Sequence, residues 1–255
     1  MKRSHLSSGL LGSVIAPPVI LISGSLAHAA PLIIDDFEAG EGHFNSANPL
    51  TASGTNRNMT AVTADQTTST PAQQGAGAQI IAISPQNPGL ATDFPSDQFR
   101  LRHLSGGGTV ANNVNIGPDG YVGYFLKTTV ANLRTAVALD DGAALELGVL
   151  QDVNPDGQWH LYQWNLDTPT VGAPGGFTAF AGTGPNGLIE GPNVSIDSIF
   201  IQGLTNTTPT PLNVYLDTVA YNTSGDLSSL VPEPTSIGIF GIAALGLLAR
   251  RRSIA

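Results

Sequence analysis

From residue 31 to residue 222, apolar positions come in short runs bounded by Gly, Pro, Asn and Asp. No segment carries an amphipathic helical stripe of 12 or more residues. The runs Leu32–Phe37, Met59–Ala64, Gln79–Ser84, Phe99–Leu104, Tyr121–Thr128, Leu133–Leu139, Ala144–Leu150, Gln158–Asp167, Phe177–Phe180, Ile196–Gln202 and Leu212–Tyr221 are expected as strands. Their spacing and the turn residues between them suit a sandwich or barrel. The Thr/Ser/Ala/Gly-rich stretches Asn45–Asn56 and Thr67–Gly77 are expected as loops.

Several runs alternate in a way that assigns faces. In Phe99–Leu104 the side chains of Arg100 and Arg102 share one face. In Leu133–Asp140, Leu133, Val137 and Leu139 point one way, and Arg134 and Asp140 the other. Sheets with one dry and one wet face produce this pattern, and the wet face is where such a sheet would meet a ligand. Arg100, Arg102, Arg134 and Asp140 are therefore candidate ligand contacts.

Composition narrows the chemistry. The 255 residues include 30 Gly and 18 Pro, which disfavour long helices, and no Cys. Disulfides, thiolate metal sites, Cys nucleophiles and iron–sulfur clusters are excluded. Between residues 31 and 230, five basic residues (Arg57, Arg100, Arg102, Lys127, Arg134) face 18 acids, a formal charge of −13. Such a domain repels phosphate backbones, so nucleic acid is not an expected partner, and it attracts divalent cations.

Asp36 and Glu38 fall on one face of the expected first strand, and Asp217 on the last. Hard oxygen ligands of this kind suit a structural Ca²⁺, with solvated strand caps as the alternative. Asp152-Val153-Asn154-Pro155-Asp156-Gly157 matches the start of a calcium loop. Gln163 stands where a bidentate Glu is needed, so a hairpin turn is the plainer expectation. The aromatic run Gln158–Asp167 puts Trp159 and Gln163 on one face, a ring beside an amide, as a sugar site would use them. Core packing is the competing use of such rings.

Catalysis has little support. His43, His103 and His160 follow the leader, with no G-x-S-x-G elbow and no H-E-x-x-H helix. The Asp140-Asp141 dipeptide points to opposite faces of a strand, and Ser105-Gly106-Gly107-Gly108 lacks the Lys of a phosphate loop.

The two ends read as addresses. Met1-Lys2-Arg3, the apolar Leu10–Leu26 and Ala27-His28-Ala29 form a secretory signal peptide, residues 1–29, with cleavage expected near Ala29 or Ala30. A retained anchor is the alternative, since Pro17-Pro18 interrupts the apolar run. A β-sandwich domain follows over 31–222 and a polar spacer over 223–230. Pro232-Glu233-Pro234 then precedes an apolar run, Thr235–Ala249, and Arg250-Arg251-Arg252. As a helix this run spans roughly 22 Å, short against a hydrocarbon core of about 30 Å. The three arginines hold that end in the cytoplasm, so the domain faces outward.

This order of motif, helix and basic end over 231–255 resembles the PEP-CTERM sorting signal of exported proteins in exopolysaccharide-making Gram-negative bacteria. The resemblance implies Sec-type export, transient inner-membrane anchoring and cleavage near Pro232-Glu233-Pro234 by an exosortase, a membrane cysteine protease. The domain then passes to the cell surface or extracellular matrix. An ordinary C-terminal anchor is the alternative.

Ile34-Asp35-Asp36-Phe37-Glu38 at the start and Val214-Tyr215-Leu216-Asp217-Thr218-Val219 at the end resemble the galactose-binding-like jelly rolls that include many carbohydrate-binding modules. This resemblance implies adjacent terminal strands sharing a structural calcium. A legume-lectin-like sandwich is the rival. The expected fold is thus an all-β jelly-roll sandwich between a signal helix and a short C-terminal transmembrane helix. Three functions fit it: a non-enzymatic glycan-binding module with exopolysaccharide as a partner, a structural matrix protein, or a polysaccharide hydrolase or lyase.

Overall fold

The computed structural model describes residues 29–45, 54–107, 109–142, 144–205 and 210–231. The expected signal helix with Ala27, and the expected transmembrane helix with Pro232, Glu233 and Pro234, lie outside the described residues.

Among the described residues thirteen strands build two antiparallel sheets. They are β1 (Leu32–Asp35), β2 (Met59–Thr67), β3 (Ala78–Pro85), β4 (Gln98–Leu104), β5 (Val114–Ile116), β6 (Tyr121–Lys127), β7 (Arg134–Asp140), β8 (Ala144–Gly148), β9 (Gln151–Asp152), β10 (His160–Asn165), β11 (Phe177–Gly182), β12 (Val194–Leu204) and β13 (Leu212–Asn222). The first sheet runs β10-β6-β13-β3-β2, with β1 also along β13. The second runs β11-β8-β7-β12-β4, with β5 along β12 and β9 along β7. The chain changes sheet six times, from β3 to β4, β5 to β6, β6 to β7, β9 to β10, β10 to β11 and β12 to β13. That wrapping makes the sandwich a jelly roll.

Alternation decides what lies between the sheets. From the first sheet Val122, Tyr124 and Leu126 of β6 and Trp164 of β10 point inward and are buried. From the second, Phe99 and Leu101 of β4, Val137 and Leu139 of β7 and Ile199 and Ile201 of β12 meet them. Fully burying one such side chain stabilises by about 1.5–3 kcal/mol. Most buried polar side chains are paired, although His103 Nδ1 and Asn113 Nδ2 have no partner among the described residues. Tyr124 Oη donates to Thr135 Oγ1 at 2.7 Å, which donates to the Phe200 carbonyl at 2.8 Å. The Trp164 indole N–H donates to the Val149 carbonyl at 2.9 Å. His103 Nε2 donates to Gln79 Oε1 at 2.8 Å, and Gln79 Nε2 to the Phe44 carbonyl. Burial lowers the His103 pKa to about 4, so the ring is neutral.

All eleven expected strands are present, with two additions, β5 and β9. Both are too short, at three and two residues, to show a period. The first strand stops at Asp35 rather than Phe37. The Asp35 carboxylate accepts the His43 backbone N–H and meets its ring Nδ1, both at 2.9 Å, which turns the chain back through Phe37 at φ 55°. Residues 153–159 do turn, with Asp156 accepting the Gln158 N–H and Gly157 at φ 73°. They are not a hairpin, because β9 belongs to the second sheet and β10 to the first.

Candidate functional site

The two outer faces differ. On the first sheet Phe125, Asp217, Gln163 and Lys127 point away from the core. Residues 71–77 and 227–230 lie across them. Asp217 accepts the N–H groups of Gln73 at 2.7 Å, Gln74 at 3.4 Å and Thr218 at 2.7 Å. The Trp159 indole N–H donates to the Pro71 carbonyl at 3.0 Å, and Lys127 Nζ lies 5.8 Å from that ring. Gln163 Oε1 accepts the Leu227 N–H at 2.8 Å, and Gln73 Nε2 donates to the Leu230 carbonyl. This face is roofed by backbone.

The outer face of the second sheet presents side chains instead. Arg100 pairs in register with Gln202 of β12, which pairs on its other side with Arg134 of β7. Arg102, Phe200 and Ala136 form the next row. Arg57 joins the free edge of β4, exchanging backbone hydrogen bonds with Arg100 at 2.9 and 3.1 Å. Four of the five basic residues of the domain thus stand here.

Three of these guanidinium groups have different partners. Arg57 forks onto Asp93, with Nε at 3.0 Å and Nη2 at 2.9 Å. Arg102 forks onto Asp197, with Nη2 at 2.6 Å and Nε at 2.9 Å. Among the described residues Arg100 has no carboxylate within ion-pair distance, and its one side-chain hydrogen bond runs from Nε to the Thr55 carbonyl at 3.1 Å. Its Cζ lies 4.9 Å from the Phe94 ring, 5.4 Å from Phe180 and 5.9 Å from Phe200. Burial, then the Arg57 charge, pull its pKa below the usual guanidinium value.

Bulges aim two of these groups. Phe180 is the extra residue where β11 slips against β8, and Asp197 the extra residue where β12 slips against β7. On a flat sheet β11 and β4, four places apart, would lie roughly 19 Å from each other. The Arg100–Phe180 contact therefore needs side chains that lean together over Phe200, whose ring meets Phe180 edge-on at 5.2 Å. Phe94 and Phe180 are partly exposed, while Phe200 is buried beneath them. Such partly exposed rings can stack on a sugar face while the free N–H groups of the cation beside them donate to its oxygens.

Residues 230–252 match the family model of the PEP-CTERM protein-sorting motif. No curated protein matches the chain. Among solved structures it is similar to the family 11 carbohydrate-binding module of the cellulosomal cellulase Lic26A-Cel5E of Clostridium thermocellum, at 11% identity and TM-score 0.41, covering 78% of this chain and 98% of that one. It is similar to TmCBM61, solved with β-1,4-galactotriose, at 12% identity and TM-score 0.34, covering 64% and 87%. A third is a carbohydrate-binding module of the β-sandwich superfamily described as promiscuous in specificity, at 10% identity and TM-score 0.40, covering 70% and 62%. What each of them binds is a property of that protein.

The expected ligand contacts divide between the faces. Arg100, Arg102, Arg134 and Asp140 lie together on the outer face of the second sheet, whereas Trp159 and Gln163 hold the roof of the first. Phe94, Phe180, Phe200, Arg57 and Asp197 were not singled out from sequence. The alternation in β4 marked the face, but nothing local marks a bulge.

The expected calcium ligands also reach one region. Asp36 accepts the Glu38 N–H at 3.1 Å, and Glu38 accepts those of Ala76 and Gly77 at 2.8 Å. Glu38 and Asp217 together fasten residues 73–77 through backbone N–H groups, whereas Asp36 caps only the Glu38 N–H. No group of three or more His, Cys, Asp or Glu among the described residues is placed to hold a metal ion. No described helix is long and apolar enough to cross a membrane. The Ala29 N–H donates to Ser224 Oγ at 3.1 Å, so entry and exit of the domain are adjacent. A cleft of about 670 Å³ lies there, away from the arginine face.

Proposed function

We propose that this chain is an exported, exosortase-processed surface protein that holds a glycan, without catalysis, on the outer face of its second sheet. One observation carries the reading: the Arg100 guanidinium, ringed by Phe94, Phe180 and Phe200, keeps two terminal nitrogens free of protein partners among the described residues. An aromatic surface beside unsatisfied donors is the chemistry that receives a pyranose, with C–H groups over the ring and hydroxyls on the guanidinium. The sorting motif over 230–252 supports delivery to a place where polysaccharide is encountered. Adjacent entry and exit points leave the arginine face free while the tail is handled at the membrane.

A glycan array probed with the full chain tests the reading. Binding that Phe180→Ala abolishes, with the chain still folded at the assay temperature, is the expected result. An empty array would leave the structural matrix protein as the better account.

A further inference from the structure

We infer that the glycan is acidic: a carboxylate-bearing, uronic-acid-type chain bridged by Arg100 and Arg134. This rests on the glycan reading and adds the class of ligand. The domain has a formal charge of −13, yet four of its five cations gather on one face. Two of them are already neutralised there, Arg57 by Asp93 and Arg102 by Asp197. Arg100 feels the Asp93 charge but makes no ion pair among the described residues, and it lies in the same patch as both.

Arg134 is the second uncommitted cation. It is exposed, and among the described residues its side chain makes no hydrogen bond or ion pair, even with Asp152, its cross-strand neighbour on β9. Arg100, Gln202 and Arg134 occupy one row across β4, β12 and β7. Two strand spacings separate the guanidinium-bearing positions by about 10 Å. One sugar acid is too small to meet both, so the geometry calls for a chain. Between them Gln202 Nε2 donates to Gln98 Oε1 at 2.8 Å, leaving the Gln202 carbonyl oxygen to accept a sugar hydroxyl.

A carboxylate meets the planar fork of a guanidinium through two parallel N–H···O bonds. Elsewhere the surface is acidic and repels polyanions, which makes this face selective.

The test compares polygalacturonate with its fully methyl-esterified form, using the full chain in neutral detergent at several salt concentrations. The expected result is binding of polygalacturonate at least about tenfold tighter than of the ester, weakening with salt, and much tighter than of monomeric galacturonate. Arg100→Gln should lower polygalacturonate affinity about tenfold, and Arg134→Gln several-fold. Arg100→Lys keeps the charge but loses the fork, and should recover only part. Arg134 is exposed, so its variant also serves if Arg100→Gln impairs folding.

Equal affinity for acid and ester would overturn the acidic assignment and leave the glycan reading intact. Equal affinity for dextran sulfate would overturn the choice of carboxylate. Polygalacturonate binding untouched by all three variants would overturn the site, since the basic tags are common to every variant. Binding of no glycan, charged or neutral, would end both readings.

Discussion

The Asp217 carboxylate accepts the Gln73 backbone N–H at 2.7 Å, joining residues 144 apart in sequence. The same carboxylate takes the N–H groups of Gln74 and Thr218, and Thr218 Oγ1 donates to Gln73 Oε1 at 2.9 Å. The roof of the first sheet depends on this buried acceptor. Asp217→Ala leaves backbone donors unsatisfied and should cost about 3 kcal/mol. For a domain near 200 residues that is a fall of roughly 10 °C in Tm, read by calorimetry. Because Asp217 and Glu38 already bind backbone N–H groups, millimolar calcium and chelator should give the same Tm. A calcium-dependent rise would mean that the 73–77 segment rearranges to release them.

Asp217 and His103 titrate with opposite sign over overlapping pH ranges. Burial raises the Asp217 pKa to about 6, above the ordinary aspartate value of 3.8. The folded state therefore takes up this proton first, and the contribution is fully present below pH 3.8 and lost as pH rises through 6. Burial lowers the His103 pKa from 6.5 to about 4. Its contribution is present above pH 6.5 and lost as pH falls toward 4. In the unmutated chain the two offset each other near pH 5. Relative to that chain, His103→Asn should gain stability on going from pH 7 to pH 5, and Asp217→Asn should lose it. Thermal melts at the two pH values check the slopes; parallel curves would count against both assignments.

The Arg102–Asp197 pair is bidentate, with Asp197 buried and Arg102 half-buried, whereas Asp93 opposite Arg57 is exposed. Asp197→Ala strands the Arg102 cation in a poorly solvated site and should destabilise by about 3 kcal/mol. Asp93→Ala should leave the denaturation midpoint unchanged, since an exposed pair is screened by water and salt. Urea titration of the two variants separates these outcomes.

Delivery depends on the ends. In a host with its exosortase, Ala substitution of Pro232, Glu233 and Pro234 should leave the chain uncleaved at its C-terminus and held in the inner membrane. N-terminal sequencing of the mature chain should begin close to Ala29, beside which the exit segment lies. An intact Met1, or normal surface delivery of the substituted chain, would refute the corresponding address.

The sequence by itself determined eleven of the thirteen strands, the faces within the longer ones and the C-terminal sorting motif. Side chains alternate with period 2 whatever the strand pairs with, so Arg100 and Arg102 had to lie opposite Phe99, Leu101 and His103. The PEP-CTERM motif was legible because another protein would read it as a linear segment. Which outer face carries a roof was decided only by tertiary structure. Trp159 and Gln163 have the same local pattern as a ligand face, but Pro71 and Leu227, 88 and 64 residues away, occupy them. Asp197 neutralises Arg102 across 95 residues, while Arg100, two positions earlier on the same face, has no carboxylate ion-pair partner among the described residues. That difference, on which the candidate site turns, comes from a bulge that inserts Asp197 beside one guanidinium and not the other. Alternation is a property of the chain's own geometry; charge pairing depends on which distant strand arrives alongside, and in what register.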